Sequence, residues 1–290
     1  MPGESVDRRE SLPSADERMI VLLDDSPESV RALEAAANLA RRRHGVLTGV
    51  FVEELDLVRS AGFGFANEVG AMSGQVRQRA PERMDGVIRR RLRQVRLALE
   101  QMAAACGIEH ELIVRRGRVV EEILALSGPG DLLIVGRVGW SRRLGRSFGS
   151  VPLALARTAS GAVLIWTACP PQPQGRIAVL AENGSTLDSA LAVAGERARL
   201  HRCGVSLLLP PGMKSEQVDA IQRRAAATFG PAEVPHEVRM LPATNPASLL
   251  HVLGQARAVE LVLSRRGKLL SDPVGVRLLE RIRLPVCVVP

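Results

Sequence analysis

Residues 17–26 read ERMIVLLDDS and residues 176–185 read RIAVLAENGS. Each is an aliphatic run closing on acidic or amide residues and a serine, and each opens a series of segments in the same order. VLTGVFV (46–52) is answered by VSLLL (205–209), and IEHELIV (108–114) by HEVRML (236–241). DLLIVGRVG (131–139) is answered by VELVLSRRG (259–267), and AVLIWT (162–167) by PVCVVP (285–290). The two halves are of similar length, which is the mark of an internal duplication. Two like domains in tandem make a pseudo-dimer within one chain.

Amphipathic segments separate the aliphatic runs. From Met84 onward, Val87, Ile88, Leu92, Val95, Leu99 and Met102 keep helical spacing. Strand and helix in alternation predict a doubly wound parallel α/β sheet. The expected fold is two tandem five-stranded sheets related by a pseudo-two-fold axis, and with strand order 3-2-1-4-5 in each, the first and fourth strands would flank a crevice. The expected boundaries are a disordered tail over 1–17, domains over 18–168 and 176–290, and a Pro-rich linker CPPQPQG over 169–175. The fifth strands, 162–166 and 286–289, are apolar edges that need cover, so they are expected beside the pseudo-two-fold.

Hydrophobic residues make up 46% of the chain and aromatics 2%, with no tyrosine, so the cores must be aliphatic. Buried parallel strands have that composition. The net charge of +8 and pI near 10.6 come from arginine and favour anionic partners. The four cysteines show no C-x-x-C spacing, which argues against zinc or a disulfide framework and for a reducing cytoplasm. No apolar run is long enough to span a membrane, and the polar start lacks the apolar core of a secretory signal.

The stretch GRVGWSRRLGRSFGSV (136–151) allows three readings. Gly145-Arg146-Ser147-Phe148-Gly149 fits G-x-S-x-G, but a nucleophile elbow must follow its strand at once, and this strand ends at Val135. That reading is rejected. An ordinary surface loop is the second. The third is a phosphate cradle at the carboxyl end of the fourth strand, where open α/β sheets bind ligands. Gly136 and Gly139 would let backbone N–H groups approach phosphate oxygens. Gly149 and Ser150 would add helix N-terminal amides and a hydroxyl. Arg142, Arg143 and Arg146 add charge between them. Across the crevice, Asp24 ends the first strand and could accept bonds from ribose or a base edge. Neither G-x-x-x-x-G-K-[ST] nor G-x-G-x-x-G occurs.

With these residues the chain resembles the universal stress protein family, whose ATP-binding members carry G-2x-G-9x-G-[ST] after the fourth strand. Gly136, Gly139 and Gly149-Ser150 match that spacing. Asp24 matches the family's acid after strand one, although Asp25 stands where the family has glycine. Gly117 resembles its glycine before the third helix. The resemblance covers nearly all of both halves. It implies that Asp24 and Val50 contact adenosine, that Val135, Gly136 and Gly139 line the nucleotide, and that Gly149, Ser150 and Val151 hold the phosphates. The second half departs: Ser264 replaces the first glycine, only five residues separate Gly267 from Pro273, and Asp272 is placed to cap the last helix. Asn183 is read there at the position of Asp24. One nucleotide-binding repeat and one degenerate repeat are expected.

Other features receive plain readings. IRRRLRQVR (88–96) reads as a solvated helix face, and the scarcity of aromatics argues against stacking nucleic acid. The five histidines lack ligand spacing, and Cys287 reads as packing. Residues 53–81 form an insertion without a counterpart, read as a mobile loop, a lid or a partner-binding flap. No general base or nucleophile stands beside the cradle, so at most slow ATP hydrolysis is expected. The expected function is an ATP-binding stress sensor or adaptor, with Mg²⁺ alongside the nucleotide, an unnamed client protein, and further self-association left open. The alternatives are a nucleotide-free scaffold that binds clients through a sheet edge or the insertion, and an ATP-consuming enzyme of related fold.

Overall fold

In a computed structural model the aliphatic runs become strands of one sheet. It describes residues 18–54, 67–69, 76–78, 81–137, 149–167, 174–182, 186–230, 233–243 and 245–290. The first half runs β1 (Arg18–Leu23), α1 (Pro27–Arg43), β2 (Val46–Glu54), β3 (Asn67–Val69), β4 (Val76–Gln78), α2 (Pro81–Cys106), β5 (His110–Gly117), α3 (Val119–Leu126), β6 (Leu132–Gly136), α4 (Ser150–Thr158) and β7 (Ala162–Trp166). The second runs β8 (Arg176–Leu180), α5 (Leu187–His201), β9 (Gly204–Leu209), α6 (Ser215–Phe229), β10 (His236–Met240), α7 (Pro246–Gln255), β11 (Ala258–Ser264), α8 (Lys268–Ser271), α9 (Pro273–Leu279) and β12 (Val286–Val289).

Within each half the strands lie parallel in the order 3-2-1-4-5: β5-β2-β1-β6-β7 and β10-β9-β8-β11-β12. The two expected five-stranded units meet at their fifth strands. β7 and β12 pair antiparallel, Val163 with Val288 and Ile165 with Val286, so the halves form one ten-stranded sheet. Their edges offered two rows of unpaired amides on apolar strands, and each row satisfies the other. The antiparallel sense is what a two-fold between the halves requires. The insertion expected as a loop, lid or flap includes, among its described residues, a separate antiparallel hairpin, β3–β4.

Alternation along the strands sends side chains to two cores. Met19, Val21 and Leu23 join α1, α2, α5 and α6 on one face. Ile20, Leu133 and Val135 join α3, α4, α7 and α9 on the other. Polar links recur at equivalent points: Thr48 donates to Glu111 at 2.8 Å, and Ser206 donates to Glu237 at 2.7 Å. The repeat is thus visible in side-chain pairing as well as in strand order.

Cys287 on β12 is wholly buried, and burial pushes its thiol up from 9.0 to about 12. A pKa raised on folding means that the neutral thiol belongs to the fold. Its contribution is whole below pH 9.0 and is lost as pH rises toward about 12. Cys287 is expected to react with an aromatic disulfide reagent at pH 8 only after unfolding, whereas the half-buried Cys106 reacts in the native state. Labelling of native Cys287 at the rate of Cys106 would refute this.

Candidate functional site

β1 and β6 lie side by side, with Met19, Ile20 and Val21 opposite Leu132, Leu133 and Ile134. Strand order turns between them, since β2 and β5 continue one way and β7 the other. α1 leaves over one face and α4 packs on the other. Their carboxyl ends therefore bound the crevice at which open α/β sheets take ligands.

Asp24 stands at its mouth. One carboxylate oxygen accepts the Ser26 backbone N–H at 3.0 Å, and the Asp24 N–H donates to Ser29 Oγ at 3.4 Å. Ser26 caps α1 by accepting the Ser29 N–H at 3.1 Å, and the Ser29 hydroxyl donates back to the Ser26 carbonyl at 3.0 Å. Asp25 has φ of +61°, the left-handed conformation for which glycine is the usual residue. Aspartate tolerates it better than most side chains. Burial pushes the Asp25 carboxyl up, Arg91 and Arg90 of α2 oppose the rise, and Asp24 adds to it.

Gly136 ends β6 against the first turn of α1. A Cβ there would lie 3.0 Å from the Glu28 carbonyl carbon and 3.1 Å from its oxygen. Its bareness serves helix–strand packing first, which sequence reasoning did not foresee. Gly149 is the N-cap of α4, with φ of −74° and ψ of 147°, and brings no side chain to the cap. Its N–H donates to the Arg137 carbonyl at 3.1 Å. Pro152 has no N–H, so Ser150 and Val151 carry the amides this helix start could turn on an anion. Val50 and Val135 are 0% and 1% exposed, main chain included, so both sit in the packed core beneath the crevice. Gly139, Arg142, Arg143 and Arg146 lie outside the described residues.

The second crevice is built differently. Strand registers align Met19 with Ile177, since these face Leu132 and Glu260, the equivalent residues of β6 and β11. Glu182, not Asn183, therefore holds the position of Asp24; Asn183 itself lies outside the described residues. The longer acid reaches across and accepts the Lys268 backbone N–H at 3.0 Å. A Cβ on Gly267 would sit 2.6 Å from the same carboxylate. The five residues before Pro273 include a helical turn, α8. Asp272 is extended, with φ of −87° and ψ of 132°, and its carbonyl accepts the Val276 N–H at 3.0 Å, as the residue before a helix does.

Sequence reasoning missed two arginines. Arg137 follows Gly136 and is buried, and its guanidinium donates to the carbonyls of Leu279 at 2.8 Å, Glu280 and Ile282, at and just past the end of α9 in the other half. Burial pushes its pKa down to about 10, so it stays charged at neutral pH. Arg265, at the equivalent place after β11, donates to Ala156 O at 2.8 Å and Gly161 O at 2.6 Å. The signal was present in the repeat itself, where an arginine follows Gly136 and Ser264 alike.

Two doubly wound halves that share one sheet and carry unlike crevices define the class: a tandem α/β protein with a crevice at each switch in strand order. The sequence profile of the universal stress protein family matches residues 17–166, just over half of the chain, and the chain belongs to that family. No curated protein matches it in sequence. A universal stress protein from Archaeoglobus fulgidus DSM 4304 is similar over 94% of this chain and 95% of its own, with TM-score 0.69 and 18% identity. A functionally unknown protein from Pseudomonas aeruginosa PAO1 covers 95% of this chain and 92% of its own, with TM-score 0.54 and 17% identity. These likenesses show the fold over both halves. Among the described residues no helix is long and apolar enough to cross a membrane.

Proposed function

We propose that this chain is an ATP-binding sensor or adaptor with one nucleotide site, in the crevice between the carboxyl ends of β1 and β6. The observation that carries the reading is the contrast between the two crevices. In the second, the Glu182 carboxylate is already engaged by the Lys268 backbone N–H just after Gly267, the counterpart of Gly139. In the first, the equivalent acid is the shorter Asp24, with one oxygen held by its own turn, and α4 begins at a glycine that brings no capping side chain. A helix start without a capping side chain suits a phosphate. Asp24 suits a ribose hydroxyl, to which a carboxylate is an acceptor. Mg²⁺ would be held chiefly by the nucleotide's phosphates and water, as that ion commonly is.

Calorimetric titration of nucleotide-free protein with ATP and Mg²⁺ tests this. One site per chain is expected, about tenfold weaker in Asp24→Ala as one charge-assisted hydrogen bond is lost. No binding by the folded protein would overturn the reading, and two sites would overturn the inactive second crevice. Open sheet edges favour a second reading: Val114 on β5 and Met240 on β10 are exposed large apolar residues on the outermost strands. A client protein added as a strand at either edge would use them.

A further inference from the structure

The first crevice is not held by its own half alone. α4, whose start faces the crevice, is fixed at its other end by the second half. Arg265 donates to Ala156 O and, beyond the helix, to Gly161 O, and Arg157 of α4 donates twice to Leu270 O, at 3.0 and 2.8 Å. Arg137 completes the clamp. Its carbonyl takes the Gly149 N–H at the start of α4, while its guanidinium is seated on the three carbonyls at the close of α9. Such carbonyls lack helical partners and carry the negative end of the helix dipole, so a buried guanidinium there is both satisfied and electrostatically favoured. Each half thus sends one arginine from the end of its fourth strand to the closing turn of the other half's last helix.

We propose that Arg137 and Arg265 are positioning residues through which the second half sets the first half's ligand site. This rests on the nucleotide reading above. The second half then has a function despite its filled crevice: it is a permanent partner that orients α4 against β6. A helix held at both ends presents its first-turn amides in one place, and binding does not have to order them. Arginine suits the task because its planar fork reaches two or three carbonyls at once, which an ammonium cannot reproduce.

The test is ATP–Mg²⁺ titration of the full chain as wild type, Arg265→Ala, Arg265→Lys, Arg137→Ala and Glu196→Gln. Glu196 pairs with Arg43 across the halves on the opposite face of the sheet, away from α4, and controls for a general loosening of the junction. Arg265→Ala and Arg137→Ala are each expected to bind about tenfold more weakly, the size of an ordinary coupling between sites. Arg265→Lys should recover only part of the loss, and Glu196→Gln should bind as wild type. Melting temperatures are measured alongside, because a purely structural role would weaken binding in step with stability, Glu196→Gln included. Wild-type affinity in Arg265→Ala, or an equal loss in Glu196→Gln, would overturn the inference and leave the nucleotide reading standing. Absence of binding by the wild type would overturn both.

Discussion

Glu260→Ala is expected to destabilise the protein by about 3–5 kcal/mol, the usual cost of stranding one member of a buried ion pair. Glu260 on β11 and Arg197 on α5 lie 3.4 Å apart with side chains 4% and 2% exposed. Arg197 Nε and Nη2 and Glu260 Oε1 make no hydrogen bond among the described residues, so charge rather than a hydrogen bond joins the pair. Burial works against the Arg197 charge, and Glu260, with smaller help from Cys287 and Glu196, outweighs it and leaves the pKa raised. Without Glu260 the buried guanidinium would keep only that weaker help. The repeat supplies the control. By the same alignment of registers and helix ends, Leu39 and Leu132 occupy these two positions in the first half, both buried. Arg197→Leu with Glu260→Leu should therefore lie within about 1 kcal/mol of wild type or exceed it, because apolar replacement of a buried pair is often neutral or stabilising. Denaturant midpoints of the single and double variants decide this. A single variant as stable as wild type would show that water already reaches the pair.

Gly136→Val is expected to weaken ATP binding about ten- to a hundredfold with the chain still folded. Any Cβ there meets the Glu28 backbone at 3.0–3.1 Å, and main chain in the first turn of a 17-residue helix cannot yield as a side-chain tip can. Overpacking of this kind costs about 1–3 kcal/mol, and the same loss taken from binding corresponds to that range. The displaced turn carries Ser26 and Ser29, whose bonds orient Asp24, so acid and helix start move together. Ser264→Val, at the equivalent place in the second half, should leave ATP affinity unchanged. Calorimetry on both, with circular dichroism to verify folding, is the measurement. Unaltered affinity in Gly136→Val would remove this crevice as the site.

The strands within each half were legible because aliphatic runs are local properties of the chain, whereas their order rests on contacts between distant segments. The limits expected for β7 are those the structure shows, whereas β5 begins two residues later than its aliphatic run and continues through the charged Arg115 and Arg116 to Gly117. Edge strands admit charge because one side of their ladder is unpaired. The position of Asp24 at the end of β1 was likewise local, as were the glycine before α4 and the unusual Asp25.

What the sequence determined by itself was a duplicated, doubly wound α/β chain with one well-formed glycine spacing and one broken one. Those are matters of residue type and interval. Two apolar edge strands in need of cover were legible, but tertiary structure decided that they pair with each other into one sheet, Val163 with Val288, because that is a contact between distant segments. It alone moved the counterpart of Asp24 in the second crevice from Asn183 to the acid Glu182, because register is set by neighbouring strands. It also turned two arginines of a basic chain into ties between the halves: where a long side chain ends is fixed by the carbonyls that need a donor, and those lie more than a hundred residues away.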